Sequence, residues 1–152
     1  MMRIFYLAIL FLISFSQNAQ CWMSLSAGGW STAALKADST LWTWGDNSFG
    51  QIGSLTYTNT DIPHQVGTAH WRQVVAGEFH VLGIKNDGTL WAWGDNNYGQ
   101  IGDGTVFGSH LFPTQIGTDN DWKIVAASFG HSLALKNNGT LWAWGNNSNT
   151  QL

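Results

Sequence analysis

Apolar and polar positions alternate in short bursts along this chain, and the bursts recur in a fixed order. "WRQVVAG" (71–77) and "WKIVAAS" (122–128) read as first strands, and "HVLGIKN" (80–86) and "HSLALKN" (131–137) as second strands. Between the second and third strands lie Asn86-Asp87-Gly88 and Asn137-Asn138-Gly139, whose glycines supply the positive φ of a tight hairpin. "TLWAWG" follows as a third strand, from Thr89 and again from Thr140. A looser fourth strand surrounds "PHQVG" and "PTQIG", where proline suits an edge or a strand start. Alternation in the third strand sends Trp91 and Trp93 to one face and Leu90 and Ala92 to the other. Both faces are apolar, so the strand has to be covered on both sides. Stacked antiparallel sheets do that; a single sheet facing water does not.

The pattern is an internal repeat. Trp42, Trp91 and Trp142 are 49 and 51 residues apart, and Trp44, Trp93 and Trp144 follow each of them by two. Lys36, Lys85 and Lys136 precede the first tryptophan by six residues, and Gln51, Gln100 and Gln151 follow the second by seven. The repeats run over 27–75, 76–126 and 127–152, the last breaking off before its fourth strand. Periods of this length mark arrays of supersecondary units, and four-stranded units arranged radially make propeller blades. The first copy departs in two places. Ser31 stands where the others carry His80 and His131, and Ala37-Asp38-Ser39 replaces the glycine turn, predicting a looser first hairpin.

Composition agrees with short strands and many turns. The chain of 152 residues has 18 glycines, 10 tryptophans and 2 prolines, with 10% charged residues. Its net charge of −3 and six scattered lysines and arginines offer no basic stripe for nucleic acid. The N-terminus is a different object. Arg3 precedes Ile4–Phe15, an apolar run of 12 residues, and then the polar "SQNAQC". That is the layout of a secretory signal peptide over 1–21, shorter than the roughly 20 residues of a membrane span. Secretion, or export to an extracytoplasmic space such as the periplasm, is therefore expected, with no membrane span after cleavage. An uncleaved anchor is the alternative. A lipid anchor at Cys21 is a weaker one, because Asn18-Ala19-Gln20 departs from the usual small-residue pattern. As the sole cysteine, Cys21 forms no intramolecular disulfide, so packing alone must hold the domain.

Candidate chemistry is sparse. Trp-x-Trp beside Gly-Asp-Asn suits stacking on a sugar or base, but its presence in every copy favours a structural role in each blade. His80 and His131 occupy equivalent positions without a carboxylate or cysteine at ligand spacing, and read as hydrogen-bonded structural histidines. No nucleophile elbow, Cys–His pair or His-Glu-x-x-His is present, so no catalytic residues, cofactor or metal are expected and the chain reads as non-enzymatic. Where the repeats stop matching, at 54–62 and 103–112, positions are free of the common framework. Tyr57, Phe107 and His110 lie there, and Trp30, Glu78 and Phe79 lie in the other variable loop. These six are the candidate partner contacts.

"HSLALKNNGTLWAWGNN" and "GDNNYGQIGDGT" resemble the repeats of the RCC1 (regulator of chromosome condensation) family, over Ala27 to Leu152. The resemblance implies an all-β, RCC1-type β-propeller of four-stranded antiparallel blades, incomplete relative to the family's seven. It implies a protein–protein interaction scaffold. Guanine-nucleotide exchange on a small GTPase is the alternative, and carbohydrate binding a lesser one. With about two and a half repeats, the chain is expected to be a short repeat protein or fragment that is marginally stable, assembles with copies of itself through open blade faces, or is a shortened gene product.

Overall fold

The computed structural model describes residues 21–152; the signal-peptide reading of the apolar run falls outside them, save for Cys21, which is exposed. Among the described residues there are ten strands and no helix: β1 (Trp22–Ala27), β2 (Ser31–Lys36), β3 (Thr40–Gly45), β4 (Thr60–Ala76), β5 (His80–Lys85), β6 (Leu90–Asp95), β7 (Ser109–Gln115), β8 (Trp122–Ala127), β9 (His131–Lys136) and β10 (Leu141–Gly145). All neighbouring pairs are antiparallel.

Three blades follow from the pairing. β1, β2, β3 and the first half of β4 make blade 1; the second half of β4 with β5, β6 and β7 makes blade 2; β8, β9 and β10 make the three described strands of blade 3. Two details differ from the sequence reading. The innermost strand of blade 1 begins at Trp22, ahead of the expected boundary at Ala27, and Trp22 is the counterpart of Trp71 and Trp122. The expected fourth strand at "PHQVG" and first strand at "WRQVVAG" are one continuous β4, pairing with β3 through Gly45↔Thr60 to Thr40↔His70 and with β5 from Trp71 onward. The corresponding passage from blade 2 to blade 3 is one residue longer and contains Asp119, Asn120 and Asp121, and there the strand breaks into β7 and β8.

Each blade buries itself against the next. Leu35, Leu41 and Val66 of blade 1 meet Trp71, Val74 and Trp93 of blade 2 in one cluster. Ile84, Leu90 and Ile116 of blade 2 meet Trp122 and Val125 of blade 3 in a second, with Trp144 packed on its side. The expectation that both tryptophans of every pair are core needs correction. Trp93 is 0% exposed, but Trp91 is half-buried and Trp142 is 52% exposed. The second tryptophan is covered by the preceding blade, whereas the first stands near the turn end of its own.

That first ring is held within its blade. In blade 2, the Thr89 backbone N–H and hydroxyl both donate to Asp87 Oδ1, Trp91 Nε1 donates to Thr89 Oγ1, and Lys85 Nζ sits 3.2 Å from a Trp91 ring centroid. Blade 1 repeats this with Asp38, Thr40, Trp42 and Lys36. The turn that lacks glycine forms nonetheless: Ser39 takes φ +66°, matching Gly88 at +85° and Gly139 at +89°. A serine there pays for a left-handed backbone that glycine adopts freely. Ser39→Gly is therefore expected to stabilise the protein by roughly 0.5–1 kcal/mol, read as a higher midpoint in urea unfolding.

Candidate interaction surface

The antiparallel order sends every β1–β2-type and β3–β4-type loop to one side of the blades and the tight hairpins to the other. Backbone hydrogen bonds tie the two loop types together: Asp46 N–H donates to the Trp30 carbonyl, Asp95 to Phe79 and Asn146 to Gly130. Between blades, Gly29 N–H donates to the Gly77 carbonyl and Glu78 N–H to Ser128. The loops thus form one continuous rim.

The conserved-within-chain motif Gly-Asp-Asn-x-x-Gly-Gln is the frame of that rim. Gln100 Nε2 donates to Asp95 Oδ2 at 2.8 Å while its Oε1 accepts from Tyr98 N–H, and Asn96 Oδ1 accepts from Ile101 N–H. Gln51, Asp46, Phe49, Asn47 and Ile52 make the same three bonds in blade 1. In blade 3 Asn146 replaces the aspartate, and Gln151 donates to its backbone carbonyl instead. Burial pushes the Asp95 carboxyl up, against hydrogen bonds from Asn97, Gln100 and Asn96, whereas the Asp46 carboxyl lies below its ordinary value because bonds from Ser48, Gln51 and Asn59 outweigh its burial. The frame reaches the next blade through the glutamine carbonyls. Trp93 Nε1 donates to the Gln51 carbonyl at 2.9 Å, and Trp144 Nε1 to that of Gln100 at 2.8 Å. Trp93 is buried with its indole N–H spent on this bond, so that ring serves the blade interface and presents no face to a ligand.

His80 is buried between blades 2 and 3. Ser132 Oγ donates to the Gln100 carbonyl at 2.7 Å, so its oxygen accepts from His80 Nε2 at 2.9 Å. Burial, with a smaller repulsion from His131, depresses the His80 pKa to about 4. Among the described residues no group of three or more histidines, cysteines or carboxylates is arranged to hold a metal ion, and no helix is long and apolar enough to cross a membrane.

The six candidate contacts divide. Trp30, Tyr57 and Phe107 stand exposed on the rim. Phe79 is half-buried against Phe49, ring centroids 4.9 Å apart, and joins blades 1 and 2. His110 Nε2 lies 3.2 Å from Asp103 Oδ2 and its Nδ1 3.1 Å from Thr114 Oγ1, so it braces its own loop. Glu78 is half-buried, its backbone spent on the link to Ser128. Sequence reasoning missed Leu55, Tyr98 and Phe129, all exposed. Phe129 was legible only with difficulty, because "ASFGH" places its aromatic residue one position earlier than "AGEFH" does. The described lysines and Arg72 lie toward the hairpin end, at Lys36, Lys85, Lys136, Arg72 and Lys123, away from this rim.

Comparison with known proteins matches this architecture. Residues 24–51, 71–100 and 122–151 fit one profile of the regulator of chromosome condensation (RCC1) repeat, and 38–84 and 87–135 fit a second. The X-linked retinitis pigmentosa GTPase regulator of Canis lupus familiaris is 49% identical over 55 residues, 36% of this chain and 6% of that protein. Yeast RCC1 (Prp20), in a crystal structure with Kap60, superposes with a TM-score of 0.74 at 27% identity over 83% of this chain and 32% of that one. Prp20p of Saccharomyces cerevisiae, in a structure described with its binding to Gsp1p and histones, gives 0.74 at 26% identity over 82% and 33%. This chain therefore spans about a third of those structures' length. Repeat matches over more than half of the residues make this chain a member of the RCC1 repeat family with an incomplete β-propeller.

Proposed function

We propose that the protein is an exported, non-enzymatic interaction scaffold whose loop rim holds a protein partner. One observation carries the reading: Trp30, Tyr57 and Phe107 are exposed at positions that differ between repeats, while the shared residues are consumed in building blades. Aromatic side chains on loops fixed by a rigid frame are effective anchors, since little conformational entropy is lost on binding. Protein partners of relatives support it, Kap60 bound to yeast RCC1 among them. Export rests on Arg3 and the apolar run that follows it.

Tyr57→Ala and Phe107→Ala are expected to weaken partner capture by about tenfold or more each, with an unchanged melting temperature. Unaltered capture by the double variant overturns the rim as the binding surface. The second reading, regulation of a small GTPase, is favoured by similarity to a protein named a GTPase regulator. It predicts faster release of labelled GDP from a GTPase when the protein is added; a flat trace across several GTPases removes it.

A further inference from the structure

The two ends of the blades differ in charge. Among the described residues, Asp46, Asp61, Glu78, Asp95 and Asp103 lie at the rim, which holds no lysine or arginine. The hairpin end holds all five described lysines and arginines, against Asp38, Asp87, Asp119 and Asp121. Against the burial of each, hydrogen bonds from Ser48 and Gln51 hold the Asp46 carboxyl, and bonds from Thr105 the Asp103 carboxyl, below the ordinary carboxylate value. Both are therefore ionised at neutral pH. An apolar patch sits among these charges where the β3–β4 loop of blade 1 meets β7 of blade 2. Leu55, Tyr57 and Phe112 are 67%, 57% and 54% exposed there. Leu55 N–H donates to the Leu111 carbonyl at 3.2 Å, and Phe112 adjoins Leu111 in the bulge between Gly94↔His110 and Ala92↔Thr114. Asn47 Nδ2 donates to the Thr56 and Thr58 carbonyls at 2.7 and 3.2 Å, which pins the loop. Both blades at this junction carry four strands, and the loop of one already leans on the bulge of the next, so these side chains stay exposed after the blades have packed.

We infer that this junction docks a protein segment in which lysine or arginine stands beside apolar side chains. The inference rests on the rim reading above and adds the chemistry of the partner. Apolar residues of the segment cover Leu55, Tyr57 and Phe112, while its cations meet Asp46 and Asp103 and the open ring faces of Tyr57 and Phe112. An acidic segment would find the same apolar patch but no cation to pair with, since the described lysines and Arg72 lie at the other end of the blades. His110, the histidine of the bulge, already faces Asp103 Oδ2 at 3.2 Å. The charge difference between the two ends also steers a basic partner to the rim before contact is made.

The test is fluorescence anisotropy on the full chain with two labelled synthetic peptides, one alternating arginine with leucine and one alternating glutamate with leucine. The arginine peptide is expected to bind at least about tenfold more tightly at low ionic strength, with the advantage shrinking as salt screens the charges. Leu55→Ala combined with Phe112→Ala is expected to weaken its binding by about tenfold or more. Asp46→Asn combined with Asp103→Asn is expected to reduce the advantage over the glutamate peptide. Blade 3 carries Asn146 at the position of Asp46, so the frame accepts that change, and urea unfolding verifies that each variant is folded. Lys123→Gln, at the hairpin end, is expected to leave binding unchanged. Equal binding of the two peptides, or binding of neither, overturns the basic partner; the rim reading then stands or falls separately, on partner capture by Tyr57→Ala and Phe107→Ala. Arginine-peptide binding that the Leu55 and Phe112 changes leave intact overturns the junction as the site.

Discussion

Trp93→Ala is expected to cost roughly 3–5 kcal/mol of unfolding free energy, much of the roughly 5–15 kcal/mol that a domain of this size possesses. The indole is 0% exposed, packs beside Trp71 with ring centroids 5.8 Å apart, and donates to the Gln51 carbonyl across the blade interface. Truncation removes that packing, leaves a cavity between two sheets and takes a donor from a buried carbonyl. Trp142→Ala, at the equivalent of Trp91 and with its side chain 52% exposed, is expected to stay within about 1 kcal/mol of the parent. Urea unfolding of the two variants side by side checks the contrast. Equal losses would mean that the rings act alike and that stacking of one blade on another is not what buries them.

Acidification from pH 6.5 to pH 4 is expected to destabilise the protein by up to about 3 kcal/mol through His80 alone. Its folded pKa of about 4 lies below the ordinary 6.5. Between those values the unfolded chain holds the extra proton and the folded chain does not, so stability falls as pH falls. Above about pH 7.5 the group is neutral in both states and contributes no slope. His80→Gln keeps a donor for Ser132 Oγ and removes the titration. The difference in unfolding free energy between parent and variant is therefore expected to be flat above about pH 7.5 and to shrink or reverse toward pH 4. A difference that does not change with pH would mean that His80 protonates in place.

The repeat made most of the fold legible in advance. Period-two alternation located strands two and three of each blade, because both faces of a blade are apolar and the turns between them carry glycine or an Asx residue. Trp22 was not recognised as the start of blade 1, since it adjoins a segment whose apolar run and single arginine dominate the local signal. The continuity of β4 was not legible either, because "VGTAH" between its halves reads as a break. Burial of individual tryptophans depends on the neighbouring blade, which one strand's own sequence does not contain. The rim was half legible: mismatch between repeats identified Trp30, Tyr57 and Phe107, but the Phe79 ring lies on Phe49 and the His110 ring on Asp103, contacts that only the fold creates.

The indole hydrogens report most directly on whether blades are joined by tryptophan-to-carbonyl bonds. In hydrogen exchange followed by NMR, the Trp93 Nε1 proton is expected to exchange only on global unfolding, because it is buried and bonded to Gln51 of the preceding blade. The Trp142 proton, on an exposed ring, is expected to exchange orders of magnitude faster. Comparable rates for the two protons would contradict the account.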